Sequence, residues 1–281
     1  MIPPVRKISS AALLPLLALC SALAMAAPSL SAQVFNGGLP AGYTCVGQCG
    51  TSGANGSIPL APNGGSQFGY VTTAGSGATP NPLNISGTTN GSQLTSSLFT
   101  ATAGQKLSFG FNYITSDGTA NFTDYAYARL IGSGGASNVT LFTARTTPGG
   151  NTVPGFGLPP IASGVTLNPS TVTIKPGTLF GPLGASSGDC YQGVGNGCGN
   201  TGWVFASFLF PDAGTYQLQV GVNNLVDQNF DSALAVDFDA GAGGVPTVPI
   251  GPSTVPEPSS LALLGTGLVG LVPMLRRKVK K

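Results

Sequence analysis

The stretch KLSFGFNYIT, residues 106–115, alternates strictly: Leu107, Phe109, Phe111 and Tyr113 fall on one side, Ser108, Gly110 and Asn112 on the other. A period of two puts every apolar side chain on one face of extended chain, so the segment reads as a half-buried β-strand. Residues 215–224 repeat the logic, with Tyr216, Leu218, Val220 and Val222 set against Gln217, Gln219, Gly221 and Asn223. Six further runs of the same kind occupy residues 67–72, 94–101, 125–131, 139–145, 203–210 and 232–238, each bounded by Gly, Pro, Asn or Asp. Short strands separated by turn residues, without helical spacing between them, point to an all-β fold: an antiparallel β-sandwich of jelly-roll type. Residues 148–199 are crowded with Pro and Gly and hold only two strand-like pieces, 165–167 and 171–174, so they read as an extended crossover with one or two edge strands.

The chain has 281 residues, and charged residues make up only 7% of it. Seven of the eleven basic residues lie at the termini: Arg6, Lys7, Arg276, Arg277, Lys278, Lys280 and Lys281. Between them stand only Lys106, Arg129, Arg145 and Lys175 against eight aspartates, so the body is mildly acidic. Binding to nucleic acid needs clustered cations and is not expected.

Both ends look like targeting segments, which divides the chain into residues 1–32 as a signal peptide with an apolar helix, 33–245 as the sandwich domain, 246–254 as a Gly/Pro linker and 255–281 as a sorting and anchor segment. Arg6 and Lys7 precede a Leu- and Ala-rich run from Ala11 to Ala27, and Ala24-Met25-Ala26 offers small residues for cleavage, with a second site after Ala32. At the other end Val255-Pro256-Glu257-Pro258 is followed by the apolar run Leu261 to Leu275 and then by the basic end. That run is shorter than the roughly 20 residues of a comfortable membrane helix, but snorkelling cations make a transmembrane/sorting helix feasible, with its basic end cytoplasmic. A glycolipid-anchor signal would end apolar rather than in cations.

This three-part tail resembles the PEP-CTERM sorting signal of Gram-negative exopolysaccharide producers. The resemblance covers the last 27 residues or so and implies recognition by a membrane transpeptidase, an exosortase, near Val255, Pro256, Glu257 and Pro258. It further implies export, transient residence in the inner membrane and delivery to the cell surface or extracellular matrix. Segments of the body, Ser116-Asp117-Gly118 with residues 122–126, and Asp227 with residues 230–237, look like those of other PEP-CTERM sandwich proteins, a likeness that supports the fold and export reading and transfers no activity.

Cys45, Cys49, Cys190 and Cys198 remain once the leader is removed, and an even count in an exported chain suits disulfides. Of three possible pairings we favour the local ones, Cys45 with Cys49 and Cys190 with Cys198; C-x3-C and C-x7-C spacings without any His make poor zinc sites.

No catalytic residue is assigned. The chain has no His, and its single Glu is Glu257, so the usual acid–base groups are nearly absent. Paired aspartates are what a glycosidase would need, and Asp117 with Asp124, or Asp231 with Asp237, supply such pairs on paper. Calcium is a second use for these oxygens: Asp227, Asn229, Asp231, Asp237 and Asp239 crowd one strand and the turn before it, and we name Asp227, Asp231 and Asp237 as its candidate ligands. The alternative is that Asp227 and Asp231 cap turns. Trp203, Tyr191, Tyr125 and Tyr127 would suit a sugar platform for an exopolysaccharide, although a lone Trp heading a strand is more often core. The sequence therefore reads as an exported structural or adhesive module, with calcium-assisted carbohydrate binding as the alternative and a hydrolase third.

Overall fold

The computed structural model describes residues 35–238, except residues 63, 120, 148, 149, 194 and 195. The expected leader and the sorting tail lie outside the described residues, and no helix within them is long and apolar enough to cross a membrane. In chain order the strands are β1 (Thr44–Val46), β2 (Gln48–Ser52), β3 (Phe68–Thr72), β4 (Thr88–Thr95), β5 (Phe99–Ala101), β6 (Lys106–Thr115) and β7 (Tyr125–Ser133). They continue with β8 (Val139–Ala144), β9 (Val165–Asn168), β10 (Gly199–Asn200), β11 (Val204–Leu209), β12 (Gly214–Leu225) and β13 (Ser232–Asp237); the one helical element among the described residues is a 3-10 turn at Gly181–Ser186.

Two antiparallel sheets face each other. One runs β1-β4-β12-β7-β8, with β5 also on β12; the other runs β2-β3-β13-β6-β11-β9, with β10 also on β6. The eight principal strands thus split as β4-β12-β7-β8 and β3-β13-β6-β11, with the first strand beside the last, which is the jelly-roll order. The stretch on which the sequence reading turns, residues 106–115, is β6, central in its sheet and paired with both β13 and β11.

The inward faces close a core on the alternation expected of them. Leu107, Phe109 and Phe111 of β6 meet Leu218, Val220 and Val222 of β12, with Phe142 of β8 stacked on Phe111 at 3.7 Å between ring centroids. Burying each large side chain contributes about 2–3 kcal/mol, and residues that alternate in sequence share this one face because strands turn successive side chains to opposite sides.

Three parts of the fold depart from the sequence reading. The run 94–101 is not one strand: β4 ends at Thr95 and β5 begins at Phe99, with a one-residue change of register against β12 between them. Conversely β4 starts at Thr88, where inward positions hold Asn90 and Ser92, so there is no apolar alternation to read. The short strands β1 and β2, which pair with β4 and β3 in different sheets, have no signature in the sequence, because their residues are mostly small and polar. Gly47 turns the chain there with φ +83°, passing it from one sheet to the other, and the Cys45–Cys49 disulfide spans the passage.

The segment 148–199 behaves as the crossover expected, with β9 at the sheet edge and Val172 in a single bridge to Val153. It also does something the sequence does not announce. Phe180 and Leu183 fold down with Ile58 onto Phe68, Ile114, Ala233 and Ala235, making a second, smaller core on the outer face of the β6 sheet. Trp203 belongs to it: the indole packs edge-on against Phe68 at 5.4 Å, and its N–H donates to the Pro59 carbonyl at 2.8 Å.

Candidate functional site

At one end of the sandwich the inward positions of four central strands turn polar together. Along β6 the inward series passes from Tyr113 to Thr115 and on to Asp117; on β12 it passes from Val222 to Asn224; on β13 from Leu234 to Ser232; and ahead of β7 from Ala126 to Asp124. Pairing brings these steps into one layer. Ser232 lies opposite Thr115, and Asn223 opposite Tyr125, so the next step of the same register sets Asn224 against Asp124. Asn224 also stands opposite a bulge, since Asn223 pairs with Gly91 of β4 but Leu225 with Thr88, so that Thr89 and Asn90 together face the single residue Asn224. Bulges re-aim side chains and recur beside functional sites.

The hydrogen bonds of this layer are only half complete. One oxygen of Asp124, Oδ1, accepts the Leu225 N–H at 3.1 Å, and the Asp124 N–H donates to the Asp117 carboxylate. Tyr113 Oη donates to the Asp124 carbonyl at 2.9 Å, and Thr115 Oγ1 accepts both from Ser232 Oγ at 2.8 Å and from the Asp117 N–H at 3.1 Å. Asp117 Oδ2, Asp124 Oδ2 and both amide atoms of Asn224 have no hydrogen-bond partner and are sealed from solvent. The three residues are 2%, 1% and 0% exposed. A buried polar atom without a partner costs free energy, about 1–3 kcal/mol each and more for a charged group, so such a cluster calls for a reason.

Electrostatics sharpen the point. Burial, then the negative charge of Asp227, pushes the Asp117 carboxyl up to about 7, partly offset by the Asp124 N–H. Burial and the charge of Asp117 raise Asp124 well above the usual carboxylate range, offset by Ser232 and the Leu225 N–H, with Asp231 adding a smaller upward push. No lysine or arginine hydrogen-bonds to either carboxylate, and the charge of Asp124 is felt by one arginine through space, Arg145. Arg145 is the nearest cation to bear on the layer: its guanidinium sits over the Tyr125 ring, 5.5 Å from the centroid, and Nη1 donates to the Phe156 carbonyl at 3.2 Å. A cleft of about 380 Å³, lined by Thr119, Asn121, Thr123, Arg145, Thr146 and Leu225 among others, opens beside the layer.

The loop closed by the Cys190–Cys198 disulfide holds the turn that carries Asp117. Tyr191 N–H donates to the Ser116 carbonyl and Thr119 N–H to the Asn196 carbonyl, both at 2.8 Å, while Ser116 Oγ reaches the Ser186 carbonyl at 2.8 Å. Both local disulfides expected from the spacings are present.

The aspartates read from sequence as calcium ligands are not brought together. Among the described residues no three acidic, His or Cys side chains form a ligand set. Asp227 Oδ1 accepts the Asn229 N–H at 2.9 Å, an Asx turn. Asp231 accepts from Thr73 Oγ1 at 2.9 Å and from Ser186 Oγ at 3.1 Å, locking the entry to β13. Asp237 closes the far end of that strand, six residues of extended chain or about 20 Å away; Asp239 lies outside the described residues, as does the Val255, Pro256, Glu257 and Pro258 motif. The same strand separates Asp231 from Asp237 as a catalytic pair, and Asp117 with Asp124 is too enclosed to admit a sugar. Nor do the aromatics make a platform: Tyr125 and Tyr127 are fully buried, Trp203 is packed, and Tyr191 leans on Phe230 at 5.3 Å. Sequence reasoning does not single out Asn224, yet the residue leaves a signal, being the polar one that ends the apolar series of β12.

Comparison with known proteins gives one decisive match, over residues 254–278, to the PEP-CTERM protein-sorting motif. The chain carries a PEP-CTERM sorting motif. Such a motif implies export, a membrane-anchored sorting step at the C-terminus, and processing by an exosortase. No curated protein matches the chain. Among solved structures, the K1 cleaved adhesin domain of Lys-gingipain from Porphyromonas gingivalis aligns at 12% identity with a TM-score of 0.31, over 71% of this chain and 91% of that one. The K3 cleaved adhesin domain of the same protein aligns at 13% and 0.30, over 72% and 94%. A likeness this loose transfers neither ligand nor activity.

Proposed function

We propose that this chain is a non-enzymatic structural or adhesive module of the cell surface or biofilm matrix, delivered there through its PEP-CTERM tail. The observation that carries the reading is the match at residues 254–278, because a sorting motif has no use on a protein that stays in the cytosol. The rest of the molecule is consistent with that destination. Two disulfides staple loops of an otherwise unstapled sandwich, which suits an oxidising compartment. A body with few charges and a mild acidic excess has no electrostatic footprint for nucleic acid. In this reading the tail pauses in the inner membrane with its cations cytoplasmic, and an exosortase-type transpeptidase acts near Pro256-Glu257-Pro258 while the folded jelly roll stands outside.

The test is display of an epitope-tagged chain in a host that encodes an exosortase, read by protease shaving of intact cells. Glu257→Gln and deletion of residues 276–281 should each leave the domain folded and misplace it. Unchanged display of both variants sinks the reading. Pull-down on the host's exopolysaccharide then separates an adhesive role from a purely structural one.

A further inference from the structure

The polar layer between the sheets has a use that neither turn capping nor sorting accounts for. We propose that Asp117, Asp124 and Asn224 hold one hard divalent cation, calcium by size and ligand chemistry. The inference does not depend on the export reading.

Three observations converge. The side-chain oxygens that lack partners are two carboxylate oxygens and one amide oxygen, all hard donors of the kind calcium takes, with backbone carbonyls completing its six to eight ligands. They are sealed from water, so solvent does not satisfy them, and no cationic side chain bonds to them in its place, Arg145 acting on Asp124 only through space. Asn224 comes into the layer independently of the acids: it sits on a different strand, at a bulge, on the same inward face as Val222, and its whole amide is unpartnered. Two carboxylates and an amide explain why no set of three acids is found, and they suit calcium better than magnesium, which demands octahedral geometry and keeps its waters.

The surroundings are those of a built site. Each carboxylate is held from behind: Asp117 by the Asp124 N–H and the disulfide-closed loop on Ser116, Asp124 by the Leu225 N–H. Leu225 lines the 380 Å³ cleft, which offers a way in from solvent. A bound cation would tie together the β6–β7 connection and the end of β12, joining the two sheets where apolar packing stops. The competing arrangement is one proton shared between the two carboxyls, with no metal.

The experiment takes the full chain purified in mild detergent, strips it with EDTA and titrates it with calcium chloride, following heat and thermal unfolding. Expected are one saturable site per chain and a rise in Tm of about 5 °C at saturating calcium, with magnesium giving less. Asp117→Asn and Asn224→Leu should each weaken calcium binding by about tenfold or more, through loss of a ligand charge or a ligand oxygen. Asp231→Asn, in the sequence-read set but outside this layer, should bind calcium as the parent does. Absence of saturable calcium binding to the stripped parent chain, with Tm unmoved, overturns the proposal in favour of the shared proton. Calcium binding that survives Asp117→Asn and Asn224→Leu but is lost in Asp231→Asn overturns the placement. The titration of the parent chain is decisive for the cation even if a variant fails to fold.

Discussion

The middle and the end of the interior are built by the same strands with the same alternation, and they differ only in what stands at the inward positions. In the middle Phe109, Phe111, Phe142, Val220 and Val236 pack into one apolar cluster. One or two steps further along the same strands, Thr115, Asp117, Asp124, Asn224 and Ser232 bury polar atoms and leave four of them without partners. The middle contributes stability and is indifferent to solution conditions. The end contributes little stability of its own and makes the fold sensitive to protons and cations, because burying a carboxylate is unfavourable unless something compensates its charge.

The largest expected effect breaks the middle. Phe111→Ala removes the ring stacked on Phe142 and should cost about 4 kcal/mol in denaturant unfolding, with no change in sensitivity to pH. A loss below about 1 kcal/mol would mean that the site collapses and the middle is not the rigid part.

Next in size is the pH response of the end. In metal-free buffer the Asp117 carboxyl keeps its proton up to about 7 in the folded chain and gives it up near its ordinary 3.8 when unfolded. Between those values the folded state holds more protons, so stability should fall as pH rises from about 4 to about 7 and then level off. Asp124 acts in the same direction. Thermal unfolding across that window checks it: a flat or rising profile contradicts the buried, uncompensated carboxyls, and Asp117→Asn should flatten the slope.

Removing the Cys190–Cys198 bridge as a double serine variant should cost about 2 kcal/mol. It should also loosen the turn of Ser116 and Asp117, seen as faster amide exchange at Thr119, whose N–H the loop holds. Equal exchange in both proteins would uncouple the loop from the polar end. The smallest effect concerns neither region but the outer core: Trp203→Phe forfeits the hydrogen bond to Pro59 and should cost about 1 kcal/mol, measurable by urea unfolding.

Much of this architecture is legible along the chain. Seven of the eight alternating runs become strands, β6 with the bounds read for it, because period two is a local property and a jelly roll has inward faces to fill; the eighth, 94–101, is divided between β4 and β5. The local disulfides follow from short spacings, and the sorting tail from three adjacent physical cues. The polar strand β4 is not legible, since its inward Asn90 and Ser92 carry no hydrophobic signal. The outer core is not legible either, for Ile58, Phe68 and Phe180 are far apart in sequence.

The calcium reading shows where the boundary falls. Proximity in sequence groups Asp227, Asp231 and Asp237, and an extended strand carries the last of them about 20 Å from the second. Asp117, Asp124 and Asn224 are spread over more than a hundred residues and meet because the register of β7 and β12 sets Asp124 against Asn224 and the facing sheet brings Asp117 to the Asp124 N–H. The sequence by itself determined which residues face inward, how the short loops are closed and where the chain is sent, since each depends on neighbours a few residues away. Tertiary structure alone decided which polar residues share a layer, because strand pairing places residues by register across the sheets and not by their separation along the chain.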